Sequence, residues 1–220
     1  MGSDLTVFLE FYGLPGCGKS TISHLVAEEL RKQGKKVIEP TYDLDHKYSA
    51  GKRKVLKFLK LLRFAAGHPC KCWKLRKLIK ANGYSGLEVI SHAANITPKL
   101  WIYEKSKEDF VIFDEGLTQS AISLCQGERS SVENEVELYS LCKKRNVRKL
   151  YIKIDIETAL RRMVGRDKHD SRIEKIKDST EQKKAILSVE EQCNRISFSD
   201  IVFSKTIENT VHSIIVQFDK

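Results

Sequence analysis

Gly13-Leu-Pro-Gly-Cys-Gly-Lys-Ser20 sets glycines, a lysine and a hydroxyl at the spacing G-x-x-x-x-G-K-[ST]. Residues of these types at this spacing can hold a polyphosphate. Gly13, Gly16 and Gly18 let the chain turn tightly and bring bare N–H groups up to a phosphate. A helix opening at Lys19 would aim its positive end at the same point. Lys19 would reach the β- and γ-phosphates of a nucleotide such as ATP, and the Ser20 hydroxyl would be a ligand of Mg²⁺. Thr21 stands behind it. The candidate nucleotide cradle is therefore Gly13, Gly16, Cys17, Gly18, Lys19, Ser20 and Thr21.

Such a loop works only between a strand and a helix. Val7-Phe-Leu-Glu-Phe-Tyr12 is a mostly apolar run of strand length, and Ile22, Leu25, Val26 and Leu30 recur at helical spacing up to Gly34. Lys36-Val-Ile-Glu-Pro40 reads as a second short strand ended by Pro40. Its carboxyl end presents Glu39, which could orient or deprotonate an acceptor hydroxyl. Phe110-Val-Ile-Phe-Asp114 reads as a third strand that delivers Asp114 beside the loop as a holder of Mg²⁺. Glu115 follows at once, and an Asp-Glu pair there also suits polarising a water for hydrolysis. Lys149 to Asp155 and Asp200 to Phe203 give fourth and fifth strands, and a closing helix carries Ile207, Val211, Ile214 and Phe218. Strands alternating with helices imply right-handed crossovers and a parallel α/β sheet covered on both faces.

Two further stretches carry chemistry or punctuation. Thr97-Pro98 interrupts the helical spacing of Val89, Ala93, Ile96, Leu100 and Tyr103, and predicts a kink or two abutting helices. Glu157 to Glu174 holds Arg161, Arg162, Arg166 and Arg172 after a strand, with Gly165 as a hinge. That stretch could close over transferring phosphates as a cationic lid.

The net charge of +10 is unevenly placed. Residues 46 to 87 hold twelve Lys or Arg and no Asp or Glu, which leaves the rest of the chain at −2. The basic character belongs to that segment, and it points to a local anionic partner. Val55, Phe58, Leu59 and Leu62 make one apolar helical face there, flanked by Lys54, Lys57, Lys60 and Arg63. A second basic helix is expected over Cys72 to Ile79, beyond Pro69. An anionic ligand or a membrane surface fits this segment. Nucleic acid is not expected, because few aromatics interleave with the charges. With 41% hydrophobic residues, no long apolar run and no basic start with a long apolar stretch, the chain is expected to be a cytoplasmic globular enzyme. Its six cysteines form no C-x-x-C pair and are expected to be reduced thiols. His68-Pro-Cys70-Lys-Cys72 lacks a second pair of metal ligands.

The chain resembles the thymidylate kinase-like group of P-loop nucleoside and nucleotide kinases, over nearly its whole length except the basic insert. The likeness rests on Gly13 to Thr21, Glu39-Pro40, Asp114, Ser120, Gln126-Gly127, and the run from Ala159-Leu-Arg-Arg162 through Arg166 and Asp170 to Arg172-Ile-Glu174. It implies a three-layer P-loop NTPase fold with a five-stranded parallel sheet in the order 2-3-1-4-5, helices on both faces and a basic helical insert. Residues 1–220 then form a single kinase-like domain, with the insert at about 46–87 and an arginine lid at about 157–176. The implied reaction is Mg²⁺-dependent transfer of the ATP γ-phosphoryl group. By that likeness Lys19, Asp114, Arg162 and Arg166 are the catalytic set, Arg162 also touches the nucleotide, Arg172 is a third lid arginine, and Ser204-Lys205 borders the adenine. On the acceptor side the chain departs from the family. Glu115 stands where thymidylate kinases place an arginine, and His92, Ala93 and Asn95 lie nearest the position of another. Glu39, Asn95, Glu115 and Arg172 are the candidate acceptor-binding residues. The acceptor is expected to be a nucleoside-, nucleotide- or sugar-like small molecule other than thymidylate. The alternative is an ATP-hydrolysing or nucleotide-switched module that binds anionic lipid or nucleic acid through the insert. A homodimer is compatible with either.

Overall fold

The computed structural model describes residues 6–125, 129–142, 146–164, 173, 176, 178–196, 200–203 and 206–218. At its centre lies β1 (Val7–Gly13), between β3 (Phe110–Phe113) and β4 (Asn146–Lys153), with β2 (Val37–Ile38) beyond β3. These four strands, in the order β2-β3-β1-β4, carry the loop and the strand-end acids. A short β5 (Asp200–Phe203) pairs with β4 at the far edge, and every pairing is parallel. Strands buried on both faces must be apolar almost throughout, and β3 is Phe-Val-Ile-Phe, all buried. Alternate side chains then serve opposite layers: Phe8, Val111 and Phe113 join one core, Leu9, Phe11, Phe110 and Ile112 the other.

The second of these cores is closed by α1 (Lys19–Lys32), α8 (Ile156–Val164) and α10 (Ile207–Ile215), through Ile22, Val26, Leu30, Ala159, Met163 and Ile214. The first is closed by α3 (Ala50–Gly67), α4 (Pro69–Ala81), α5 (Gly86–Lys105), α6 (Leu117–Leu124) and α7 (Ser131–Ser140), through Phe64, Leu75, Leu100, Ala121 and Leu138. A third cluster joins Tyr12 and Tyr151 to Cys193 of α9 (Ser179–Arg195). Among the described residues no helix is long and apolar enough to cross a membrane.

The structure corrects the sequence reading in one place and extends it in two. Pro98 lies inside one continuous helix of 20 residues, so the two-helix expectation gives way. Ile96, Leu100 and Tyr103 pack into the core on both sides of the proline, and that packing holds the helix together where one backbone hydrogen bond is lost. Pro40 ends β2 but also starts α2 (Pro40–Lys47), as its fixed φ and missing N–H suit the first helical turn. Helix α3 turns Leu61 and Phe64 inward, and the stripe of Val55, Phe58, Leu59 and Leu62 outward.

Candidate active site

Because all strands are parallel, the carboxyl ends of β1, β2 and β3 lie along one edge, and the Gly13 loop, Glu39 and Asp114 share it. Three glycines of the loop have positive φ, at 149° for Gly13, 82° for Gly16 and 95° for Gly18. Two of them are also pressed against neighbours. A Cβ on Gly13 would sit 2.6 Å from the Ile152 carbonyl oxygen, and one on Gly16 would sit 2.8 Å from that of Ala159. The loop is thus wedged between β4 and α8, and only glycine fits either position. The Gln119 side chain of α6 fixes its start, accepting from Gly13 N at 3.0 Å.

Helix α1 opens at Lys19 with no acidic residue in its first turn and no side-chain cap, since Gly18 occupies that position. Its first i to i−4 bond is Ile22 N to Gly18 O, so the earlier amides and the positive helix end are offered to the loop mouth. Lys19 is buried, and its Nζ donates to Gly13 O at 3.2 Å and Leu14 O at 3.0 Å. Burial works against its charge, but Cys17, Glu115, Cys193 and Asp114 outweigh burial and hold the ammonium above the usual lysine range.

Ser20 of α1 and Asp114, 94 residues later, meet directly, with Ser20 Oγ donating to Asp114 Oδ2 at 2.8 Å. Thr41 Oγ1 donates to the other oxygen, Oδ1. Asp114 is buried, so two hydroxyls and one carboxylate form an oxygen-only cluster at the loop mouth. Among the described residues no group of three His, Cys, Asp or Glu side chains converges as a metal site. The donor set suits a hard cation that shares its coordination with phosphate oxygens and water, as Mg²⁺ does. Thr41 was not foreseen from the sequence. Its only signal is the Pro40 that starts α2 and directs the next residue back toward β3.

Glu39, at the strand end, is buried and its carboxylate is already paired. Its carboxylate receives Arg31 Nη1 at 2.8 Å and lies 3.1 Å from His24 Nδ1, and His24 in turn stacks on Tyr42. These contacts tie α1, β2 and α2 together and thereby fix Thr41. Asn95 is exposed and accepts from Lys57 Nζ at 3.0 Å.

Glu115 is exposed, and no motif signals what lies behind it. Lys99 of α5 is buried there and donates to Gly116 O at 3.1 Å and Ser120 Oγ at 2.8 Å. Burial lowers its pKa below the usual lysine value, while Glu115, Glu10 and Asp114 counter part of that loss. A buried cation therefore offsets Glu115. Glu10, fully buried in β1, shapes the same turn: its Oε2 accepts from Thr118 N at 2.8 Å, at the start of α6, and its Oε1 accepts from Tyr103 OH. A Cβ on Gly116 would collide with this carboxylate, at 2.1 Å from its Cδ. Neither Glu10 nor Lys99 carries a motif. An acid inside an otherwise apolar strand and a lysine at a buried helical position are the only clues.

Helix α8 packs on the loop. Ala159 and Met163 meet Gly16, and Arg162, three residues on from Ala159 in the same helix, is exposed. Arg161 instead bonds Thr158 Oγ1 at 3.1 Å. The helix is anchored at its start by Asp155, whose Oδ1 accepts from Thr158 N at 2.7 Å and whose pKa is lowered chiefly by that bond. Arg166, Arg172, Asp170, Gln126-Gly127 and Ser204-Lys205 lie outside the described residues. The six cysteines are free thiols, and burial lifts that of Cys193 to about 12.

No family model matches the chain, and no curated protein matches it. Solved structures do. A deoxyadenosine kinase from M. mycoides with bound dATP aligns over 97% of this chain and 100% of its own, at 13% identity and a TM-score of 0.52. Shikimate kinase from Acinetobacter baumannii in complex with shikimate aligns over 97% and 93%, at 14% identity and a TM-score of 0.51. A dCTP-bound structure of the M. mycoides enzyme gives 96% and 98%, 14% and 0.50. At such identities the likeness is one of fold: the chain has the α/β, parallel-sheet fold of P-loop kinases.

Proposed function

We propose that the protein is a Mg²⁺- and ATP-dependent phosphotransferase that moves the γ-phosphoryl group to a small-molecule hydroxyl or phosphate acceptor. The observation that carries this reading is the 2.8 Å contact between Ser20 and Asp114, which joins the loop to the strand-end acid at one point. The loop amides and Lys19 would bind the β- and γ-phosphates, and Ser20, Thr41 and Asp114 would hold Mg²⁺. The bound ion would neutralise charge on the transferring phosphates. Arg162 would meet the charge that develops on the equatorial oxygens, and Arg166 and Arg172 belong to the same proposed lid. Residues of about 157–176 would then form the lid, and 46–87 an insert on the acceptor side of a single domain.

The fold serves a deoxyadenosine kinase and a shikimate kinase alike, which supports a kinase without naming the acceptor. Glu115 and Lys99 face the proposed acceptor side as a compensated pair. Lys99 is a point charge already held by Gly116 and Ser120, and it lacks the fork with which an arginine grips a phosphate. Thymidylate therefore remains a poor candidate, and a hydroxyl acceptor that hydrogen-bonds Glu115 is favoured.

The test is a mass-spectrometric screen of nucleosides, nucleotides and sugars with ATP and Mg²⁺, run beside a no-acceptor control and Lys19→Ala. One or more acceptors should gain a phosphoryl group with the wild type and none with the variant. ATP turnover that proceeds equally fast without any acceptor would replace this reading with the hydrolytic module.

A further inference from the structure

Helix α3 is amphipathic in an unusual sense: it has a second apolar face, and that face points out. Leu61 and Phe64 fill the core. On the opposite side Val55, Phe58, Leu59 and Leu62 are 60%, 46%, 54% and 51% exposed, at positions i, i+3, i+4 and i+7. Single exposed apolar residues are ordinary, whereas a continuous stripe over two turns marks a surface that something else covers. At 100° per residue Lys52 lies on one flank of the stripe and Lys54 on the other. Both are exposed, and among the described residues neither has an acidic partner. No Asp or Glu occurs between residues 46 and 87.

We infer that α3 docks on an anionic lipid surface, with the apolar stripe lowered between headgroups and the lysine rim on the acidic lipids. Charge chooses this occupant. A second copy packed on the stripe by a two-fold axis would press one lysine rim against the other, with no acid in the segment to offset either. A nucleic acid would find one aromatic, Phe58, in the stripe and would leave Val55, Leu59 and Leu62 against phosphates. A bilayer whose surface is negative satisfies both halves of the face, as it does for interfacial helices with basic flanks. The stripe lies on the side of α3 turned away from the core, and none of its residues belongs to the loop or to the strand-end acids. The inference is independent of the proposed phosphotransfer.

Full-length protein would be co-sedimented with vesicles of phosphatidylcholine alone and of phosphatidylcholine with phosphatidylserine. Binding should require phosphatidylserine and weaken as salt rises. The Phe58→Ser/Leu62→Ser variant should bind at least tenfold more weakly. Removing the rim by Lys52→Gln and Lys54→Gln should cost about 25-fold, fivefold per charge. Because these side chains are exposed, both variants should melt with the wild type. Absence of binding to the phosphatidylserine vesicles overturns the inference, as does equal binding to both vesicle types. So would a dimer in light scattering, or binding of an RNA oligonucleotide, that the Phe58→Ser/Leu62→Ser variant abolishes while vesicle binding is absent.

Discussion

Replacing Gly16 by alanine tests whether the loop and α8 are one rigid unit. Two costs add at this position. The backbone there has φ of 82°, which for a residue with a Cβ costs about 1–2 kcal/mol. The new Cβ would also lie 2.8 Å from the Ala159 carbonyl oxygen and 3.3 Å from Met163 Cγ. Met163 can swing aside, but the carbonyl is backbone in a packed helix, so either the loop or α8 must shift. Overpacking of this kind costs roughly 1–3 kcal/mol. Gly34 supplies the control, because its φ is 80° and a Cβ there would meet nothing within 4 Å. Gly34→Ala should therefore lose only the backbone cost. Thermal melts of the two variants should differ by roughly 1–3 kcal/mol, about 2–12 °C in Tm for a chain of this size. A displaced α8 also carries Arg162 away from the loop, and a misplacement near 1 Å costs on the order of 100-fold in turnover. Once an acceptor is in hand, steady-state phosphorylation should show that loss for Gly16→Ala and not for Gly34→Ala. If the two variants melt together and turn over alike, the close packing of loop on helix is not what the geometry indicates.

Arg162→Ala should lower single-turnover phosphoryl transfer by on the order of 10³-fold while ATP affinity, measured by calorimetry, stays nearly unchanged; equal transfer removes Arg162 from the mechanism. Lys99→Met gives a signed pH test. Its pKa in the fold is below the usual 10.5, so between that depressed value and 10.5 the unfolded chain binds more protons and stability due to this group rises with pH. Tyr103 and Tyr139, whose values burial raises, act in the opposite direction, so the difference between wild type and variant is the quantity to follow. Denaturation midpoints at rising alkaline pH should show the wild type gaining on Lys99→Met; a constant difference would mean that Lys99 is not held at a cost. Gly116→Ala should displace the Glu10 carboxylate from Thr118 N and lower stability by roughly 2–4 kcal/mol in chemical denaturation, and a melt like the wild type's would show that the turn relaxes freely.

Much of the site was legible because its signals are local. The loop, its strand and its helix are neighbours in the chain, and the Lys19-Ser20 pair has a fixed place in the helix that follows. Asp114 was legible for a related reason: an acid that ends an all-apolar strand has only the sheet edge to occupy. Gln119, Thr41, Glu10 and Lys99 were not legible, since each matters through partners distant in sequence. Gly13 and Gln119 are 106 residues apart, and Tyr103 and Glu10 are 93. Glu39 was read from its strand-end position alone, and its pairing with Arg31 and His24 of the preceding helix was not legible there.

Helix α3 marks the boundary between the two kinds of information most plainly. Its residues by themselves determine that a basic helix forms, because apolar and charged side chains recur at helical spacing without a breaker until Gly67 and His68. They do not determine which way it turns. Leu61 with Phe64, and Val55 with Phe58, Leu59 and Leu62, are both apolar faces at the same period, and propensity and periodicity are indifferent to a rotation about the helix axis. Only the surface of α5 and the core beneath it break that symmetry, since burial is a property of what a face meets. The tertiary structure thus decided which face was buried and left the other exposed.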